Sequence, residues 1–291
     1  MNELDMNSSN KTSINDVKVG QVTIGKGHPI ALICGPCVIE SEDAVLRIAE
    51  KVKTIASRLR IPWIFKSSYE KDNRGSADGY RGPGLEEGLK ILEKVKNRFS
   101  VPVTSDVHRE TDIKAAAEVL DLLQIPAYLC QQTSLVLAFG KAGKPVNVKK
   151  GQFLAPQGMK SAVGKLHHVG NKQVLLTDRG TCFGYNQLIA DIRSIPIMQS
   201  LGCPVIWDPT HIVRLYGISS ADPRGGEPEF VPVLTRAAVA GGVNGLFIEA
   251  HTNPSEALCD AASMITIKQL ESLLRQVQIL ADAARQMGVD G

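Results

Sequence analysis

Eight short β-rich runs, each followed by a loop and a helix-periodic stretch, constrain this chain more than any other feature. The runs are Ile30 to Cys34, Trp63 to Lys66, Val101 to Ser105, Leu122 to Ile125, Val146 to Val148, Val174 to Thr177, Val205 to Trp207 and Gly245 to Ile248. Brief apolar runs of this kind, bounded by turn residues, read as buried strands. Val45, Ile48, Ala49, Val52, Ile55, Ala56 and Leu59 recur at helical spacing, as do Leu270, Leu273, Leu274, Val277, Ala281 and Ala284. Ser41, with acids behind it, is the expected N-cap of the first of these helices, and Gly288 the stop of the last. Gln131 to Lys141 has the spacing of a shorter helix. Strand and helix alternating eight times predicts an α/β protein, a closed (β/α)8 TIM barrel. A doubly wound open sheet is the competing arrangement.

Ahead of the barrel, Val17 to Ile24 and Pro29 to Ile33 flank the turn Gly25-Lys26-Gly27, which predicts a short N-terminal β-hairpin. Residues 1–16 are polar, lack the apolar core of a signal peptide, and are expected to be a disordered lead-in. With no linker rich in Pro, Gly or Ser, 17–291 is expected to be one barrel domain. Charge narrows the function. A balance of 33 basic against 30 acidic residues leaves no nucleic-acid footprint. No apolar run approaches the roughly 18 residues of a membrane span. Six cysteines in 291 residues do not make a disulfide framework and suit a reducing cytoplasm.

In a barrel, residues at the carboxyl ends of the strands share one mouth, where ligands sit. Here those positions carry Cys37; Lys66, Lys71, Asn73 and Arg74; Asp106 and His108; Gln124; Lys149 and Lys150; Asp178 and Arg179; Asp208 and His211; and Glu249 and His251, with Asp260 beyond. Two subsets emerge. Lys66, Lys71, Lys149 and Arg179 would repel one another unless a polyanion such as a phosphate or carboxylate lay between them. A solvated Lys149-Lys150 turn is the bland alternative. Cys37, His211, Glu249 and Asp260 offer thiolate, imidazole and carboxylate, a donor set for a borderline-soft divalent ion such as zinc, iron or manganese. His211 as a structural histidine and Cys37 as an inert core thiol remain open at this point. Cys34-Gly35-Pro36-Cys37 also has redox-pair spacing, but Ala31-Leu32-Ile33 carries Cys34 into a strand, not to a helix N-terminus.

Eight motifs are recognisable: GPCVIES (35–41), IFKSSYEKDNR (64–74), QIPAYLC (124–130), VNVKKGQFLAP (146–156), DRGTCFGYNQL (178–188), RSIPIM (193–198), DPTH (208–211) and FIEAH (247–251). Through them the chain resembles the 3-deoxy-D-manno-octulosonate 8-phosphate synthases, within the wider group that includes 3-deoxy-arabino-heptulosonate 7-phosphate synthases. The resemblance covers about Ile30 to Leu280. It implies a cytoplasmic, usually tetrameric barrel enzyme that condenses phosphoenolpyruvate with D-arabinose 5-phosphate and releases phosphate. It implies phosphoenolpyruvate binding by Lys66, Lys71, Gln124, Lys149 and Arg179, and aldose binding by Asn73 and Arg74. Asp106 and His108 would line the same pocket, with Lys66, Lys71, Asp106, His108, Lys149 and His211 as the catalytic set. Cys37, where metal-independent relatives carry Asn, together with His211, Glu249 and Asp260, implies the metal-dependent form. No nucleic-acid or membrane partner is implied.

The chain departs from that family's pattern at what the resemblance makes the acceptor end. It reads KDNRGS at 71–76 where KANRSS is usual, and CQQTS at 130–134 where CRQTD is usual. Gly75 and Gln131 thus stand where a serine and an arginine, the latter from a neighbouring subunit, would hold the aldose phosphate. Ile212 and Arg214 replace Ser and Gln. Either the acceptor differs, being another or an unphosphorylated aldose, or Arg214 or Arg224 supplies the missing charge. A different metal-dependent barrel enzyme, such as a class II aldolase or a hydrolase, and a non-catalytic ligand-binding relative are the other classes.

Overall fold

The computed structural model describes residues 13–182, 184, 187–219 and 222–289. Most of the predicted lead-in, residues 1–12, lies outside them. Of its remainder, Asn15 donates its backbone N–H to Gly202 O at 3.0 Å, and Asp16 meets His28 at 2.9 Å. The hairpin exists with different arms: β1 (Val17–Val19) and β2 (Val22–Ile24) pair antiparallel. Its turn is Gly20-Gln21, not Gly25-Lys26-Gly27. A two-residue hairpin loop needs positive φ, and Gly20 supplies it at 55°.

The barrel strands are β3 (Ala31–Gly35), β4 (Trp63–Lys66), β5 (Val103–Asp106), β6 (Leu122–Ile125), β7 (Val146–Lys149), β8 (Val174–Asp178), β9 (Val205–Trp207) and β10 (Gly245–His251). Each pairs in parallel with the next, and β10 pairs with both β9 and β3, through Gly245↔Ile206 and Gly245↔Ala31. That double pairing closes the ring and rules out the open sheet. A two-residue strand β11 (Ile265–Thr266), absent from the sequence reading, adds to β10.

The helices are α1 (Glu42–Leu59), α2 (Leu85–Phe99), α3 (Ile113–Val119), α4 (Thr133–Lys141), α5 (Lys160–His168), α6 (Ser194–Gln199), α7 (Pro209–Ile212), α8 (Val231–Ala240) and α9 (Ile267–Gln286). Ser41 caps α1, its side chain accepting from Ala44 N at 3.2 Å, and the seven apolar residues predicted to share its inner face are all buried. α9 opens on a capping box between Thr266 and Gln269. None of these helices, nor any other among the described residues, is long and apolar enough to cross a membrane.

Strand alternation divides the core in two. Leu32, Phe65, Val103, Leu123, Val148, Leu176, Trp207 and Ile248 face the helices. Ile33, Ile64, Leu122, Leu175, Ile206 and Phe247 fill the barrel and meet Val17, Val19, Val22 and Ile24 of the hairpin, which plugs one end. Farther along the same inward-facing rows the residues turn polar. Thr177 Oγ1 donates to Asn147 Oδ1 (2.7 Å), Asn147 Nδ2 to Gln124 Oε1 (2.8 Å), and Gln124 Nε2 to Asp106 Oδ1. A buried polar layer is tolerated because each amide finds a partner. Above it opens the mouth.

Candidate active site

A cavity of about 740 Å³ sits over this layer, at the carboxyl ends of the strands. Lys66, Lys71, Asn73, Arg74, Asp106, His108, Gln124, Lys149, Arg179, His211 and Asp260, all named from the sequence, line it. Cys37 and Glu249 are buried just behind its wall, each 1% exposed.

The lysines converge, but not as bare cations held apart by an absent anion. Other strands of the ring supply a carboxylate for each. Lys66 Nζ donates to Glu249 Oε1 at 2.8 Å and to Cys37 O at 2.9 Å. Lys71 Nζ donates to Asp106 Oδ2 at 3.2 Å, which also accepts from Ser68 Oγ at 2.6 Å. Lys149 pairs with Asp208, and its Nζ stands 3.3 Å from the centre of the Phe247 ring. The Lys149-Lys150 pair is no solvated turn. Lys149 points into the cavity, whereas Lys150, fully buried, donates to Gly180 O and Thr181 Oγ1 at 3.1 Å each and braces the loop after β8. Arg179 donates to Tyr216 Oη at 2.9 Å.

These surroundings set the titrations. Burial pulls the Lys149 ammonium down to about 8, with Arg179 and Lys66 adding and Asp208 opposing. Burial alone would raise Asp106, but Lys71, Lys66 and His108 hold its carboxyl well below the usual range. Burial likewise lowers His108, against the pull of Asp106. Its Nδ1 is buried with no hydrogen-bond partner among the described residues.

The second subset also comes together. Cys37 Sγ lies 3.3 Å from Asp260 Oδ2, and His211 Nε2 lies 3.8 Å from both Glu249 Oε2 and Asp260 Oδ2. One donor atom each from His211, Glu249 and Asp260 falls within 4.8 Å of the others. Glu249 Oε2 is buried with no hydrogen-bond partner among the described residues, although Oε1 is held by Lys66. A buried carboxylate oxygen left open, facing an imidazole nitrogen and a second carboxylate, fits a cation of the kind the donor set suggests. His211 is oriented from behind: its Nδ1 lies 2.7 Å from Asp208 Oδ2, too oblique for a full hydrogen bond. Asp260 presents its carboxylate from a left-handed backbone, φ 50°, unusual for any residue but glycine. Burial, with Cys259, Asp260 and Glu249 adding, pushes the Cys37 thiol up, so a thiolate there needs a bound cation. Cys34, by contrast, lies within strand β3 on the helix-facing side and joins no such cluster among the described residues.

Four site residues carried no role in the sequence reading. Asp208 was placed at the rim, but its pairing with Lys149 and His211 needs the fold. Phe247 sits on the inward alternation of β10 and was legible as barrel filling only. Cys259 groups with Cys37 and Asp260. Tyr216, which accepts from Gln152 Nε2 and Arg179 at 2.9 Å each, comes from a loop with no periodic signal. Gln131 is exposed and does not line the cavity of its own chain. Gly75 does.

Curated relatives match along nearly the whole chain. The 2-dehydro-3-deoxyphosphooctonate aldolase of Trichlorobacter lovleyi is 52% identical over 270 residues, 93% of this chain and 99% of its own. That of Acidithiobacillus ferrooxidans is 52% identical over 254 residues, 87% and 90% of the two chains. That of Geobacter sulfurreducens is 48% identical over 265 residues, 91% and 97%. The sequence profile of the DAHP synthetase I family matches residues 6–286. A closed barrel, a basic mouth and a match of this extent lead to one assignment: the chain belongs to the DAHP synthetase I family.

Proposed function

We propose that this enzyme condenses phosphoenolpyruvate with D-arabinose 5-phosphate and water, giving 3-deoxy-D-manno-octulosonate 8-phosphate and phosphate. The observation that carries the reading is one cavity in which lysines from the end of β4, the loop after it and the end of β7 lie beside the His211–Glu249–Asp260 cluster. Lys66, Lys71, Gln124, Lys149 and Arg179 bind phosphoenolpyruvate, and Asn73 and Arg74 bind the aldose. Each lysine shares its charge with a carboxylate, so the mouth is not self-repelling and its cations are already gathered around one cavity.

Holding both substrates in one cavity turns a bimolecular encounter into a positioned one. C3 of phosphoenolpyruvate forms the new bond to the aldehyde carbon, whose oxygen takes up a proton. Water adds at C2 and loses one proton, and as the C2–O bond to the phosphoryl group then breaks, the new hydroxyl gives up its second proton, leaving a 2-keto acid and inorganic phosphate. Lys149, near its titration point at neutral pH, passes a proton to the departing phosphate. His108 and Asp106 line the same cavity.

Cys37, His211, Glu249 and Asp260 hold a divalent cation, zinc, iron or manganese by their donor chemistry, with Asp208 orienting His211. When bound, such an ion polarises an aldehyde or activates a water. The working assembly is a homotetramer in the cytoplasm. Turnover in ¹⁸O-labelled water tests the route. Attack at C2 puts the label in the sugar acid and leaves the released phosphate unlabelled; labelled phosphate would mean water attacks phosphorus, a hydrolase reaction.

A further inference from the structure

Arg214 is the cavity cation for which the reaction above has no use. It follows α7, and its side chain is largely buried, 14% exposed. Its Nε stands 3.9 Å from Asp260 Oδ1, and its Nη1 is buried with no hydrogen-bond partner among the described residues. The cavity lysines differ, each having a carboxylate within hydrogen-bond range. Arg224, close in sequence, is exposed, forks onto Asp222 and does not line the cavity.

Two guanidinium groups thus flank the dipeptide Cys259-Asp260. Arg74 donates to Cys259 Sγ at 2.8 Å from one side, and Arg214 approaches Asp260 from the other. Beside Arg74 the wall recedes, because a Cβ built on Gly75 would meet nothing within 4 Å. One cavity lined by both guanidinium groups, with an unused donor on Arg214, suits a phosphate, whose oxygens match the planar fork.

We propose that Arg214 is a specificity-determining residue that binds the phosphate of the aldose acceptor. The proposal rests on the reaction given above, and its test separates the two. Titration calorimetry of arabinose 5-phosphate onto the enzyme reads binding without turnover. Arg214→Gln is expected to weaken it by about 10–100-fold. Arg214→Lys, which keeps the charge but loses the fork, is expected to fall between. In steady state the KM for phosphoenolpyruvate stays within about twofold, while the preference for arabinose 5-phosphate over unphosphorylated arabinose drops about tenfold or more. Unchanged sugar-phosphate binding in Arg214→Gln overturns the proposal. So does an equal loss on both sugars, and so does lowered metal content with unaltered binding, which would make Arg214 a support for Asp260. Wild-type enzyme that binds the sugar phosphate but releases no phosphate would instead overturn the reaction, with the effect on binding still measured.

Discussion

Lys149 gives the residue-scale account its pH signature. Its ammonium is present below about 8 and lost above, because burial outweighs the attraction of Asp208. The kcat/KM for phosphoenolpyruvate is therefore expected to fall as pH rises through about 8. Lys149→Arg, charged throughout, should lose that limb; a limb that persists would belong to another group. The pair Lys66–Glu249 makes a second prediction. Both side chains are 1% exposed, so Lys66→Met leaves a buried carboxylate uncompensated and should cost about 3–5 kcal/mol in urea denaturation. Lys66→Met with Glu249→Leu should recover most of the stability and none of the activity. At this scale the charged residues were legible, since lysine, aspartate and histidine at strand ends have few other reasons to be there. Their partners were not. Nothing in the spacing of Lys149 and Asp208, or of Lys66 and Glu249, indicates contact, because barrel closure alone brings them together.

Among the elements, strands and long helices were the most readable. α1 and α9 carry their inner faces and caps in the sequence itself, and the strands are bounded by loops that break every pattern. The hairpin turn was misplaced because two glycine-containing turns lie close together and only backbone pairing distinguishes them. Gly20-Gln21 joins the paired arms, whereas Gly25-Lys26-Gly27 merely links β2 to the barrel. Since the hairpin plugs the end opposite the mouth, Ile24→Ala should cost about 2–5 kcal/mol and leave both KM values unchanged. At the other end, a Cβ on Gly35 would come within 2.0 Å of Lys66 O. Gly35→Ala must therefore displace β4 just where it carries Lys66. It should reduce kcat/KM by more than its loss of stability explains, as kinetics and urea midpoints on the same preparation would show.

At the scale of the whole molecule, one ring of strands gathers groups from all along the chain into one basin, and that gathering is the central claim. If the proposed cation binds at Glu249 Oε2 and the His211–Asp260 cluster, the loaded enzyme should melt at higher temperature than chelated enzyme. The most direct measurement follows free phosphate and 2-keto acid together, from phosphoenolpyruvate with arabinose 5-phosphate, before and after chelation. The expected result is one phosphate per keto acid, dependence on the aldose, loss with chelator and return with zinc, iron or manganese. Phosphate released without aldose, or turnover indifferent to a chelator that has removed all bound metal, would contradict it.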